Sequence, residues 1–381
     1  MTTRNIVHLD LDTFFVSVER LVNSKLNNKP VIIGSMSDRG VVASCSYEAR
    51  VYGVHSAMPM KVARMLCPDA IYIRGDMEQY SKFSGIVTEI IAERAPVFEK
   101  ASIDEHYIDI TGMDKFFGSF KWTRELRQYI IKETGLPITF GLSVNKTVSK
   151  IAAGEAKPQG ELQVQSELVK PFLKPLSIRK MPMIGNKTFR SLRIMGIDTL
   201  GTLSLIPIEI MEKTFGKNGV EMWKRANGID LTPVKPYVEQ KSMSTERTFD
   251  QDIIDMKELD TRLLGMVEKL CYELRQKNKL TACVTVKIRY SNFDTYTQQK
   301  RIPYTSLDFQ LIEVARELFH KVFSRRMRVR LIGVRFSHLV YGVQQLTLFD
   351  DSSKMMRLYQ AMDLMKDRYG RKSIKRAALL R

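Results

Sequence analysis

Three acidic residues are the strongest candidates for chemistry in this chain. Asp10 stands near the end of the run HLDLDTFF, and Asp104 and Glu105 are adjacent in ASIDEHYID. If neighbouring strands of one sheet carry them, they converge. Two carboxylates ~4 Å apart repel by about 4 kcal/mol at an effective dielectric of 20. Such a cluster therefore needs a cation or a shared proton. Hard oxygen ligands at an open site suit Mg²⁺, which keeps waters and binds substrate phosphates. Two such ions ~3.5–4 Å apart would activate an attacking hydroxyl and stabilise the leaving oxygen of an in-line displacement. Any one of these carboxylates alone could simply cap a turn. Asp12, two residues after Asp10, reads as structural or supporting.

The elements that must position them follow from the hydrophobic pattern. Ile6 to Leu11 is a short, β-branched, apolar run, as a buried strand should be. Strand signals recur at 30–34 and 40–44, and a helical pattern follows Gly75. A hairpin-like pair, 97–102 and 106–110, turns near Ile103-Asp104-Glu105. A helix is expected around 119–134, a strand at 137–144 and a helix from Asn145. This order, with an insertion at about 19–74, fits a ferredoxin-like sheet in a multidomain α+β chain. Residues 166–232 read as short helices broken by Pro and Gly, and LTPVKP as a stiff linker. A separate α+β unit follows. Met256, Leu259, Leu263, Val267, Leu270 and Leu274 form one helical face. The stretch 281–290 alternates, with Ala282, Val284, Val286, Ile288 and Tyr290 inward and a polar, partly basic face outward. A helix at 308–323 and a strand at 329–338 complete it, and 350–381 reads as a helix with a basic end.

Composition narrows the function classes. The 381 residues are 44% hydrophobic and 27% charged, ordinary globular values that exclude collagen-like and wholly disordered chains. No apolar run approaches the ~20 residues of a membrane span, and the start of the chain lacks a signal-peptide pattern, so a cytoplasmic protein is expected. Four cysteines without Cys-x-x-Cys spacing argue against a disulfide framework or a zinc cluster. The net charge of +18 favours a polyanionic partner. The excess is uneven: residues 1–165 carry a net +1 and residues 166–381 a net +17. A chemistry-bearing part of neutral balance is joined to a basic part that grips something.

Taken in order, HLDLDTFFVSVE, SYEARVYGV, SIDEHYIDITG, GLSVNKTVSKIAAGEAKPQG and a late RTF resemble the Y-family translesion DNA polymerases, most of all their bacterial DNA polymerase IV branch. The resemblance covers roughly residues 4–341. It implies a palm at 1–18 and 75–165, fingers at 19–74, and a helical thumb with a helix-hairpin-helix at 166–232. It further implies a linker at 233–242, a DNA-binding little finger at 243–341 and a tail at 342–381. By position, Asp10, Asp104 and Glu105 match the family's catalytic carboxylates, which bind two Mg²⁺ ions, and the Leu11 carbonyl matches the backbone ligand of the nucleotide-side ion. Phe15 matches the steric gate that rejects a 2′-hydroxyl. Ser44, Tyr47, Arg50 and Lys157 match the triphosphate contacts, a role in which the Arg fork suits phosphate. His106 departs from the pattern, standing where the family more often has a small residue, and is expected to point away from the catalytic pair.

Further partners follow from the same resemblance. In MPMIGNKTFRSLRIMGI, Gly185 would let backbone N–H groups approach a DNA phosphate, with Lys187 and Arg190 adding charge. An ordinary helical turn is the plainer reading of that segment. Arg247, Lys287, Arg289, Lys300 and Arg301 are candidate duplex contacts. Neutralising some six phosphates would lower affinity by about 10³ between 50 and 200 mM salt. Gln345, Leu346, Leu348 and Phe349 resemble the bacterial peptide that binds the sliding clamp (the β subunit). The implied activity is primer extension from dNTPs on a DNA template by a monomeric DNA polymerase of low fidelity. It would work across damaged template, in DNA damage tolerance, without proofreading. The insertion of about 55 residues is too small to enclose a nascent pair with a mobile helix, which favours an open site. Two other classes remain to be told apart: a nucleotide cyclase, which can place paired carboxylates on a similar sheet, and a non-enzymatic DNA-binding scaffold.

Overall fold

The N-terminal apolar run becomes strand β1 (Ile6–Leu11), every residue of which is buried. In a computed structural model that describes residues 4–113, 118–237, 239–342, 352–371 and 373–379, the chain divides into two units, Met1–Val238 and Glu239–Arg381. After β1 come α1 (Phe14–Val22), β2 (Val31–Gly34), β3 (Val42–Cys45), α2 (Tyr47–Arg50), α3 (Met60–Leu66) and β4 (Ile71–Ile73). The first unit continues with α4 (Met77–Arg94), β5 (Val97–Lys100), β6 (Glu105–Asp109), α5 (Ser119–Thr134), β7 (Ile138–Ser143), α6 (Lys146–Ala156) and β8 (Glu161–Gln163). The main sheet runs β5-β6-β1-β7-β8, with β1 antiparallel to both neighbours. Its first four strands, with the helices between them, have the ferredoxin-like order.

Strand alternation sorts the two faces of this sheet. Val7, Leu9 and Leu11 join Ile108, Phe140 and Leu142 in a core with α1, α4 and α5. His8 and Asp10 point the other way, paired in register with Tyr107 and Glu105 on β6 and with Gly141 and Thr139 on β7. Helix α6 covers that second face. It starts where the Asn145 side chain accepts the Val148 N–H at 3.0 Å, satisfying an otherwise orphan donor. Gly141 explains why α6 can lie so close: a Cβ there would meet Ser149 O at 2.1 Å and Ala153 N at 2.4 Å.

The insertion forms a three-stranded sheet, β3-β2-β4, with its own core around Ile32, Val42, Cys45, Val54 and Met60. Helix α1 runs uninterrupted past residue 18 to Val22, across the expected start of the insertion. Residues 166–232 form α7 (Val169–Leu173), α8 (Asn186–Ile194), α9 (Leu200–Leu205), α10 (Ile208–Phe215) and α11 (Lys217–Ala226). They share a hydrophobic cluster with α6: Val148, Ile151 and Ala152 pack with Leu192, Leu200, Leu203 and Met211.

The second unit has a four-stranded antiparallel sheet built from β9 (Ser242–Ile253), β10 (Lys279–Tyr290), β11 (Thr295–Thr305) and β12 (Val329–Tyr341) in the order β11-β10-β12-β9. Helices α12 (Met256–Gln276) and α13 (Asp308–Val322) pack on one face over Val284, Val286, Ile288, Ile332, Val334 and Phe336. The other face differs in part from expectation. Thr281, Cys283 and Thr285 are buried, while Lys287 and Arg289 remain half-exposed. Cross-strand register gives the reason: short Cys283 is flanked by Arg301 and Ser337, and Thr285 by Gln299 and Arg335. The longer neighbours cover them.

The described part of the tail folds back as α14 (Ser352–Tyr369). Arg275 on α12 bonds Asp363 at 2.6 and 3.0 Å and also holds Asp308. Asp367 accepts the Tyr272 hydroxyl, Arg376 reaches Glu268, and Tyr359 is 1% exposed. The expected tail helix is thus present and packed into the second unit, and Arg376 in the basic stretch after it is held by Glu268.

Candidate active site

The end of β1 gathers the acidic residues. Asp10 and Glu105 are direct cross-strand partners, and the Leu11 N–H donates to Asp104 O at 3.0 Å, so the hairpin turn is tied to the strand end. Each carboxylate has its own partner. Lys157, at the C-terminal end of α6, donates to Asp10 Oδ1 at 2.5 Å. Ser102 donates to Asp104 Oδ1 at 2.5 Å. Lys150, on α6, donates to Glu105 Oε2, and His8 Nε2 lies 3.5 Å from the same oxygen. Burial pushes the Asp10 carboxyl above its ordinary value despite Lys157. Burial would raise Glu105 too, but His8 and Lys150 outweigh it and hold that carboxyl down to about 2.

Among the described residues no three His, Cys, Asp or Glu side chains form a ready-made metal cage. The donor set nonetheless fits a divalent cation. Two opposed carboxylates of hard oxygen stand side by side, neutralised by lysine ammonium groups, and a third sits on the adjoining turn. A site that recruits two cations to its carboxylates is a site built for positive charge.

Asp12 supports the rest. It is 1% exposed and accepts from Thr139 Oγ1 at 2.7 Å, the Gln159 N–H at 2.8 Å and the Tyr47 hydroxyl at 3.3 Å. It therefore links β7, the loop after α6 and helix α2. The neighbouring Asp12 carboxylate and burial both raise the Tyr47 hydroxyl, burial most, which keeps it a donor. Arg50 lies over the Tyr47 ring at 4.9 Å with its side chain exposed, and Ser44 is buried on β3 nearby in sequence. Phe15 stacks on Tyr80 with ring centroids 4.3 Å apart and 12° between planes, and the Tyr80 hydroxyl donates to Glu19 at 2.5 Å.

His106 takes the opposite face of the sheet. Its Cα partner is Leu9, it is 1% exposed, and its Nε2 lies 3.0 Å from Thr88 Oγ1. That hydroxyl already donates to Ser84 O at 2.6 Å, so His106 Nε2 is the donor. Burial, helped by Lys100 and His8, lowers its pKa to about 3.

The candidate DNA contacts separate by face. Lys287 and Arg289 share the sheet face away from the helices with Arg301 and Arg335. Lys287 pairs with Glu246 at 3.0 Å. Arg247 and Lys300 lie on the helix side, in register with Ile332 and Val284. Arg247 there lines a cavity of about 710 Å³ with Lys257, Glu258 and Arg262, and Lys300 bonds Glu317 at 2.5 Å. In the first unit Gly185 precedes α8, and Lys187 and Arg190 are exposed on it. The Ile184-Gly185 turn leads into α8, and the Met195-Gly196-Ile197 turn that follows leads on to α9; a single 3₁₀ turn, Ile178–Lys180, precedes them. Gln345, Leu346, Leu348 and Phe349 lie outside the described residues.

Sequence reasoning missed Lys150, His8, Ser102 and Tyr80. Lys150 could have been found: it is seven residues before Lys157, which puts both on one side of a helix. The others are recognisable only once register and packing are known.

Comparison with known proteins decides the family. The model of the impB/mucB/samB family matches residues 9–154, and that of its C-terminal domain matches residues 240–348. DNA polymerase IV of Dehalococcoides mccartyi strain BAV1 is 36% identical over 378 residues, covering 98% of this chain and 97% of that protein. DNA polymerase IV of Treponema denticola is 34% identical, covering 100% of this chain and 98% of its own. The chain belongs to the Y-family DNA polymerases. A solved Y-family DNA polymerase chimera superposes on this polymerase with a TM-score of 0.78 at 28% identity, covering 89% of this chain and 100% of that one. The Y-family polymerase described here is a DNA-directed DNA polymerase of the translesion type and uses a divalent metal.

Proposed function

We propose that primer extension takes place at the end of β1, with Asp10, Asp104 and Glu105 holding two Mg²⁺ and the Leu11 carbonyl contributing to one of them. The observation that carries this reading is the pairing of Asp10 with Glu105, with Asp104 tied alongside by the Leu11 N–H. When bound, the cations would acidify the primer hydroxyl and neutralise the phosphate oxygens. The chain's own groups do the rest. Lys157, Tyr47, Arg50 and Ser44 receive the dNTP triphosphate, Arg50 by bidentate bonds to phosphate oxygens. Phe15, backed by Tyr80, blocks a 2′-hydroxyl. Asp12 holds Tyr47 to the main sheet, so the clamp and the carboxylates keep one geometry.

Primer-template DNA is gripped by sequence-independent charge. Lys287 and Arg289 with Arg301 and Arg335 form one basic face, and Lys187 and Arg190 contribute on α8. Gln345, Leu346, Leu348 and Phe349 dock on the sliding clamp. Asp104→Ala tests the central claim: primer extension is lost while duplex affinity is kept. Extension at the parental rate by that variant overturns the assignment. Deleting 345–349 lowers clamp-stimulated synthesis and leaves basal synthesis intact, and equal losses overturn the clamp reading.

A further inference from the structure

Helix α6 sends two lysines to the two opposed carboxylates, Lys150 to Glu105 and Lys157 to Asp10. Lys157 has a proposed partner in the nucleotide. Lys150 has none beyond Glu105. Its side chain is 34% exposed and that of Glu105 22%, so solvent ions reach the pair. Below it, His8 is 1% exposed and approaches the same Oε2 oxygen.

We propose that Lys150 is a positioning residue that occupies Glu105 in the metal-free polymerase and competes with the divalent cation for it, so that metal uptake is weak until nucleotide phosphate arrives. The inference rests on the reading of Glu105 as a metal ligand. Two effects oppose each other when Lys150 is removed. A unit positive charge about 5 Å from a divalent cation weakens its binding about tenfold even at the dielectric of bulk water. Freeing the Glu105 side chain costs about threefold through lost rotamer order. The charge effect wins. Lys150 thus favours loading the site together with the negatively charged triphosphate, which compensates the lysine, over loading by metal alone.

The test measures Mn²⁺ binding by electron paramagnetic resonance on the full-length protein, without DNA or nucleotide. Lys150→Gln binds Mn²⁺ about threefold more tightly than the parent, and Lys150→Arg binds like the parent. Equal or weaker binding by Lys150→Gln overturns the proposal. A thermal melt with and without Mn²⁺ separates competition from a merely structural contact. Competition makes the Mn²⁺-induced rise in melting temperature larger in Lys150→Gln than in the parent. A rise of the same size in both overturns it. Glu105→Gln tells the two readings apart: binding that survives this change undoes the metal-ligand assignment itself. Loss in Glu105→Gln without tightening in Lys150→Gln refutes only the competition.

Discussion

Gly141→Ala perturbs the site without touching any group that contacts substrate. The added methyl would lie 2.1 Å from Ser149 O and 2.4 Å from Ala153 N, both backbone atoms of α6. Neither can rotate away, so the helix must retreat by about 1 Å to restore an ordinary contact. Overpacking of this kind costs about 1–3 kcal/mol. The same retreat moves Lys150 and Lys157 away from Glu105 and Asp10, and a misplacement of about 1 Å at a reacting centre can cost about 10²-fold in rate. Urea unfolding followed by tryptophan fluorescence isolates the first unit, because Trp122 and Trp223, the two tryptophans of the chain, both belong to it. Single-turnover dNTP incorporation gives the rate. The reasoning predicts a loss in both, with the rate falling far more than the folded fraction at assay temperature can explain. Parental incorporation with parental stability would refute the claim that β7 and α6 set the site's geometry.

Other perturbations have equally definite outcomes. Phe15→Ala raises ribonucleotide incorporation in primer extension, and Glu19→Gln raises it less, by loosening the Tyr80 ring behind Phe15; unchanged sugar discrimination in both refutes the gate. His106 is held neutral to about pH 3 in the fold but protonates near pH 6.5 when unfolded. The unfolded chain therefore binds the extra proton as pH falls below 6.5, and at pH 5 the first unit loses about 2 kcal/mol from this group alone. The unfolding free energy from urea titrations falls by that much less between pH 7 and pH 5 in His106→Asn, and parallel curves would refute it. Arg275→Met leaves Asp308 and Asp363 buried without their cation, so circular dichroism melts of the second unit show a loss of about 3–5 kcal/mol. A loss below about 1 kcal/mol would mean that Arg376 and Lys366 suffice to neutralise them.

The parts of the fold that were legible in the sequence are those whose apolar residues mark a buried run or a buried face. Ile6–Leu11 is an unbroken buried run and Met256–Leu274 a single apolar helical face, and the structure returns both, with the 119–134 helix, within a residue or two. Strands β9 and β11 escaped because they are sheet edges. In β11, Thr295 to Lys300 are all exposed, so no inward row of apolar side chains marks it. At the site, motif order located Asp10, Asp104 and Glu105, but their lysine partners depend on how α6 crosses the sheet. That crossing is set by one missing side chain, at Gly141, which carries no chemical signal of its own. Which face of the second sheet each basic residue takes was illegible for a similar reason. Arg247 and Arg289 look alike in a string of letters, and only register with Ile332 or Leu331 assigns them to opposite sides.

The sheet of the second unit keeps its hydrophobic burden on the side of α12 and α13, while Lys287, Arg289, Arg301 and Arg335 stand on the other. With that face as the DNA-binding one proposed above, adhesion to a polyanion becomes an adjustable trait. Exchanging Lys287 or Arg289, both half-exposed, for a neutral side chain would shorten how long the protein lingers on its substrate at little cost to the scaffold's own cohesion.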